Sequence, residues 1–362
     1  MGLIEPVESP PKGPGEGTGM SQALDEEHDA LLLDLDGTLY RGDTAIPGAG
    51  TVVSRVRASG GAVRYVTNNA SKPPEAVVEK LNSLSIPATL AEVSTSAQAG
   101  AALLAERFER GDSVLVLGTA ALADELAALG LRPVRDVGSG PSAVLQGHSE
   151  STNWSDLAEA CLAIRAGADW VACNRDTTLP TERGQLPGNG ALVYALETAT
   201  GRSPEVAGKP ERPLVDRAAS SSGAAKPLFV GDRLETDIAG ARRAGMASIL
   251  VFTGVSGPLD LLAAPEEARP EYVAADLTAL SAPAEESTVT EQSAWNVEVG
   301  TAELTLTAVG EFPVGSEASG GDPLSALRAL CTAWWRVGSG DVRVRAGDDV
   351  AKSVLHGLGI QD

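Results

Sequence analysis

The stretch LLLDLDGTLY, Leu31 to Tyr40, decides how the rest of the chain is read. Its leucines make a strand buried on both faces, and that strand ends on two carboxylates one residue apart, Asp34 and Asp36, followed by Gly37. By itself the stretch also fits a plain strand and Asp-Gly turn, with Thr38 capping the next segment. The sequence around it has to separate the two readings.

From Asp29 onward, short apolar runs alternate with amphipathic ones. ALLLDLD reads as strand, TVVSRVRASG as helix, GAVRYVTNN as strand and KPPEAVVEKLNSL as helix, and the rhythm returns in KPLFVGD, IAGARRAG and ASILVFTG. This alternation predicts an α/β fold with a Rossmann-like parallel sheet covered by helices on both faces. SVLVLGT, PSAVLQG, SDLAEACLAIRAGA and DWVACN predict a second αβ unit inserted in the first.

The expected organisation is a disordered Pro/Gly/Glu-rich tail at 1–26, a core domain at 27–91 and 190–280, and the inserted αβ domain at 92–189. A Pro/Glu/Ser-rich linker at 281–293 then leads to a small C-terminal α+β module at 294–362. On that reading, a chain cut near Ala284 keeps a folded core. The pair Trp334-Trp335, on the predicted helix PLSALRALCTAWWRV, reads as module core or interface.

Composition narrows the function. A formal charge of -21 excludes nucleic-acid and anionic-membrane partners, because phosphate backbones need basic surfaces. It does not exclude a small phosphorylated metabolite, which needs only a local positive centre. No apolar run reaches membrane-spanning length, and the opening MGLIEPVESP is not a signal peptide. The spacing of Cys161, Cys173 and Cys331 fits neither a metal site nor a disulfide framework, so a reducing, cytoplasmic setting is expected. The scattered His28, His148 and His356 give no histidine-based metal site or triad.

In an open parallel sheet, ligands bind beyond the carboxyl ends of the strands. Asp34 and Asp36, Thr67 of VTNNAS, and Asp232 of LFVGDRLETDI all follow predicted strands, and Lys209 of GKP precedes a predicted helix. Asp34 and Asp232 are hard oxygen donors suited to Mg²⁺. Asp34 can attack phosphorus, and Asp36 can give and take the proton. Thr67 and Lys209 can stabilise phosphoryl oxygens, and Asp237 can hold Lys209 as an ion pair. Singly, Lys209 is an ordinary surface lysine, Asp237 a helix N-terminal acid and Thr67 a strand end. In order, at strand ends, they point to phosphoryl transfer.

The motifs DLDGT, VTNNAS, GKP and GDRLETD resemble the four signatures of the haloacid dehalogenase superfamily of phosphatases, in order and spacing, over residues 27–280. Thr67 follows Asp34 too closely for a domain between them, whereas Thr67 to Lys209 leaves room for one. That layout is similar to the NagD-like subfamily, whose αβ cap follows the second motif, and CNRDTTLPTERGQLPGNGALV resembles its cap loop.

The resemblance implies Asp34 as nucleophile and Asp36 as general acid/base. It also implies Mg²⁺ on Asp34, the main-chain carbonyl of Asp36 and Asp232, and phosphate on Thr67, Asn68 and Lys209. In the cap loop it points to Asn174, Asp176, Leu179, Glu182 and Arg183 for specificity, with Glu182 and Arg183 as the polar contacts to the leaving group. Leu179 stands where members specific for pyridoxal phosphate carry a histidine. Within the subfamily the chain is similar to actinobacterial glycerol-3-phosphate phosphatases, which implies glycerol 3-phosphate as substrate. Their extra C-terminal module resembles a truncated acetyltransferase fold, read here as a regulatory or homodimer contact. Alternatives are 2-phosphoglycolate or a nucleotide monophosphate as substrate, and a metabolite-binding regulator without turnover.

Overall fold

A computed structural model describes residues 22–181, 183–310 and 322–361. Its centre is a six-stranded, all-parallel sheet in the order 272–274, 247–251, 227–231, 30–33, 62–67, 93–95. The first strand explains its own composition. Leu31 and Leu33 pack with Val52, Val53 and Val56 of helix Ala49–Ala58 on one face, and Leu32 packs with Leu214 and Val215 of helix Arg212–Ser222 on the other. Alternate side chains of a strand leave opposite faces, so a central strand must be apolar throughout. Each leucine so buried contributes about 1.5–3 kcal/mol.

A second parallel sheet of five strands runs in the order 205–206, 169–172, 143–146, 113–117, 132–134. The boundaries expected at 92 and 190 fall differently in this topology. Val93–Thr95 is the edge strand of the first sheet, while helix Asn189–Thr200 and strand Glu205–Val206 complete the second. A three-residue strand carries too little periodicity to be assigned from sequence.

The tail and linker expectations also need correcting. Within the tail, residues 1–21 lie outside the described residues. Leu24, however, is fully buried, its N–H donates to Ala282 O at 2.9 Å, and Asp25 pairs with Arg55. Within the linker, Ala284 belongs to the main core, Val273 N–H donates to Ser287 O at 2.8 Å, and Val289 N–H donates to Glu271 O at 2.9 Å. Small, polar residues here signal a strap lying along the sheet edge rather than a free spacer.

The C-terminal module has three strands, Trp295–Val299, Glu303–Ala308 and Arg343–Ala346, and helices Pro323–Trp335 and Asp349–Gly357. Leu306, Leu330 and Trp334 share one apolar cluster with Leu250, Leu261 and Val273 of the main domain. Trp335 forms the seam: its Nε1 donates to Leu262 O at 3.3 Å, and the Arg269 guanidinium lies 5.1 Å from its ring. Removing residues 284–362 would uncover this cluster and cut the strap. We therefore expect the truncated protein to be insoluble or to lose its cooperative thermal transition, measured by circular dichroism; a soluble, cooperatively melting fragment would contradict the shared core.

Candidate active site

Three strands of the first sheet deliver the site. Asp34 follows Ala30–Leu33, Thr67 ends Ala62–Thr67 and Asp232 follows Pro227–Gly231. Asp34 N–H donates to Val230 O at 2.9 Å, which continues the sheet ladder and fixes the carboxylate's origin. The Asp-Gly turn of the plain reading is present, but it is packed on chemistry. Gly37 has φ +90°, and a Cβ there would stand 2.5 Å from the Asp232 carboxylate. Gly254 approaches the same carboxylate, and a Cβ there would stand at 1.8 Å.

Lys209 is buried, 2% exposed, with Nζ 2.5 Å from Asp34 Oδ1, 2.8 Å from Asp237 Oδ1 and 3.2 Å from Val66 O. Asp237 sits on a π-helical turn, Leu234–Ile238, and its Oδ2 accepts the N–H groups of Asp232 (3.2 Å) and Arg233 (3.1 Å). Asp232 Oδ2 accepts Val255 N–H at 2.7 Å, and Oδ1 accepts the Thr38 hydroxyl at 3.4 Å.

Three carboxylates thus place oxygens within 4.8 Å of one another. Burial raises Asp34 well above the usual carboxylate range; Lys209 opposes this and Asp237 and Asp232 reinforce it. Burial, then Asp237, pushes Asp232 up to about 7. Burial is also the largest influence on Lys209 and disfavours its charge, but Asp237 and Asp34 together outweigh it and raise its pKa. Asp237 is committed to Lys209 and two N–H groups. Among the described residues, Lys209 meets only Oδ1 of Asp34 and Asp232 accepts only from neutral donors, so Asp34 and Asp232 are the carboxylates that would hold a cation. A hard, oxygen-seeking ion such as Mg²⁺ fits that donor set and would hold both in the ionised form.

Asp36 is exposed and lines the same cavity of about 540 Å³, outside the Lys209 network. Thr67 is buried at the cavity wall, and its Oγ1 accepts Asn69 N–H at 3.1 Å. The second sheet turns its own carboxyl ends toward this cavity, bringing His148, Asn174, Asp176 and Leu179 to it. The Asn68 amide reaches both Asp176 oxygens at 3.4 Å, and Asn174 Nδ2 donates to Asn68 O at 2.7 Å.

One cap-loop expectation, Arg183, does not carry over. Arg183 is exposed at the turn of the hairpin Thr178–Thr181/Gly184–Pro187 and does not line the cavity, and Glu182 lies outside the described residues. A tight hairpin turn puts its tip in solvent. Sequence reasoning missed Arg233, Lys72 and His148, which do line the cavity. The first two lie close to motif residues. His148 would have been found by applying the strand-end rule to the second sheet as well.

Residues 31–132 match the haloacid dehalogenase-like hydrolase family, 206–280 a related hydrolase family, and 292–360 a GCN5-related N-acetyltransferase-like domain. The chain is 46% identical to the D-glycerol 3-phosphate phosphatase of Mycobacterium tuberculosis over 92% of its length and 95% of that protein. It belongs to the haloacid dehalogenase-like hydrolases. A glycerol phosphate phosphatase of the same organism, solved in complex with magnesium, superposes with TM-score 0.88 at 45% identity, covering 94% of this chain and all of that one. The 4-nitrophenylphosphatase of Thermotoga maritima superposes with TM-score 0.66 at 31% identity, covering 71% and 98%. An acid sugar phosphatase of Staphylococcus aureus is 40% identical over 64% of this chain and 89% of that protein. Among the described residues no helix is long and apolar enough to cross a membrane.

The buried ion pairs make a stability prediction. Asp237→Ala removes one of the two counter-charges on a buried ammonium and frees two N–H groups, so it should cost about 3–5 kcal/mol in urea denaturation. An unchanged urea midpoint would show that Asp237 does not hold Lys209.

Proposed function

We propose that this chain is a Mg²⁺-dependent phosphatase that hydrolyses a small phosphate monoester, glycerol 3-phosphate, through an aspartyl-phosphate on Asp34. The observation that carries the reading is Asp34 at a cavity wall, 2.5 Å from Lys209 Nζ, with Asp36 beside it and outside that ion pair. Asp34, the main-chain carbonyl of Asp36 and Asp232 would hold Mg²⁺, which when bound neutralises phosphoryl charge.

The chain's residues then divide the work. The Asp34 carboxylate attacks phosphorus as the bond to the glycerol oxygen breaks, and Asp36 gives that oxygen its proton. In the second half, Asp36 takes a proton from the water that attacks phosphorus, releasing inorganic phosphate and restoring Asp34. Lys209 and the Thr67 hydroxyl, with the Asn68 main chain, steady the phosphoryl oxygens.

The substrate assignment is supported by the D-glycerol 3-phosphate phosphatase of Mycobacterium tuberculosis, similar over nearly its full length. It is also supported by the cavity, about 540 Å³ and polar at its cap side, where the Asp176 carboxylate offers acceptors for hydroxyls. The carboxylate of 2-phosphoglycolate would be set against the Asp176 carboxylate. Free Cys161, Cys173 and Cys331 support a reducing, cytoplasmic setting.

The two acids can be told apart by leaving group. Glycerol leaves as a strongly basic alkoxide that needs a proton, whereas p-nitrophenolate leaves without one. Asp36→Asn should slow phospho-enzyme formation from glycerol 3-phosphate by a hundred- to ten-thousand-fold, to order of magnitude, and far less from p-nitrophenyl phosphate, read by rapid quench. Equal losses would make Asp36 a structural residue. Excess EDTA should abolish turnover of both esters, and activity that survives it would remove Mg²⁺ from the reading.

A further inference from the structure

The side chain of Asn68 is fully engaged. Its Oδ1 accepts Lys209 N–H at 2.8 Å, and its Nδ2 donates to Lys209 O at 3.0 Å. The same Nδ2 lies 3.4 Å from each oxygen of Asp176, which comes from the cap. A carboxamide has two N–H donors, so one grips the lysine main chain and the other faces the cap carboxylate. The glycine of GKP follows from this grip. A Cβ on Gly208 would stand 2.6 Å from Asn68 Oδ1 and 2.4 Å from Cys173 O.

The main chain of Asn68 is engaged as well. Its carbonyl accepts Asn174 Nδ2 at 2.7 Å and Ser96 Oγ at 2.6 Å. Asn174 in turn is tied down, its Oδ1 accepting Asp176 N–H at 3.2 Å and its carbonyl accepting Asn189 Nδ2 at 2.8 Å. One core residue therefore touches both the lysine and the cap loop.

We infer that Asn68 is a positioning residue whose side chain, rather than binding phosphate, clamps the main chain of Lys209 and couples that clamp to the cap through Asp176. The inference rests on the phosphatase reading and extends it: the cap, when seated, holds the catalytic lysine in register with Asp34. The grip at both the N–H and the C=O of Lys209 fixes the Cα from which the ammonium reaches Asp34. Releasing it lets Nζ wander from the phosphoryl oxygens, and small misplacements of this kind are costly in rate.

The test compares Asn68→Ala, Asn68→Asp, Asp176→Ala and the double variant Asn68→Ala/Asp176→Ala in the full-length, Mg²⁺-supplied protein. It reads kcat and KM for glycerol 3-phosphate and p-nitrophenyl phosphate, inhibition by inorganic phosphate, and melting temperature. Asn68→Ala should lower kcat for both esters by about ten- to a hundred-fold while leaving phosphate inhibition nearly unchanged. Asn68→Asp should be worse, since it loses both donors and sets a carboxylate against Asp176. The double variant should be little slower, and melt little lower, than the worse single one, because both changes break one linkage.

If phosphate inhibition weakens in parallel with kcat, and the two substitutions multiply, the side chain is a phosphate ligand and the clamp is wrong. A wild-type protein inert toward both esters would instead defeat the phosphatase reading. The clamp would then still be judged by the melting temperatures, where additive shifts would overturn it.

Discussion

The Lys209 ammonium, buried between Asp34 and Asp237, is the interaction on which the rest of the site depends. A buried charge is tolerated only when paired and hydrogen-bonded, so the lysine demands both carboxylates and the Val66 carbonyl. Asp237 in turn is held by the N–H groups of Asp232 and Arg233 on a π-helical turn, a feature that recurs at functional sites. Asp34 and Asp237 therefore neutralise the lysine together, and all three line the cavity. The excess of negative charge left on Asp34 and Asp232 is what a divalent cation would balance.

The two sheets serve this centre differently. The first brings Asp34, Thr67 and Asp232 together at its strand ends, and its glycines at 37 and 254 let the backbone close on Asp232. The second brings its own strand ends to the opposite wall, so that Asn174 and Asp176 meet Asn68 across the cavity. On the proposed reading, residues that meet the phosphoryl group and residues that sense the leaving group stand on separate domains, joined at Asn68. Among the described residues, none of the C-terminal module lines the cavity. It covers the far edge of the main domain with Trp334 and Trp335.

Much of this was legible in the sequence because it is local. A strand that is leucine on both faces, ended by Asp-x-Asp-Gly, states its burial and its chemistry within ten residues, and Asp232 to Asp237 do so within six. What was not legible depends on long-range packing. Val93–Thr95 is too short to show a period, and its membership of the first sheet is decided by pairing with Tyr65–Thr67. The strap at 281–293 has the composition of a linker, and only its hydrogen bonds to Val273 and Glu271 show that it is part of the core. His148 and Arg233 reach the cavity because two domains face each other, and Arg183 fails to reach it because a hairpin turn points away.

On the proposed mechanism Asp34, and no other carboxylate of the cluster, carries the phosphoryl group. Full-length protein mixed with glycerol 3-phosphate and Mg²⁺, quenched in acid during turnover and reduced with borohydride, would convert a phosphorylated aspartate to homoserine. Homoserine is expected at position 34, found by peptide mass spectrometry, and none at 36, 232 or 237. Homoserine at one of those positions, or unmodified aspartate at 34 under conditions of rapid turnover, would contradict that mechanism.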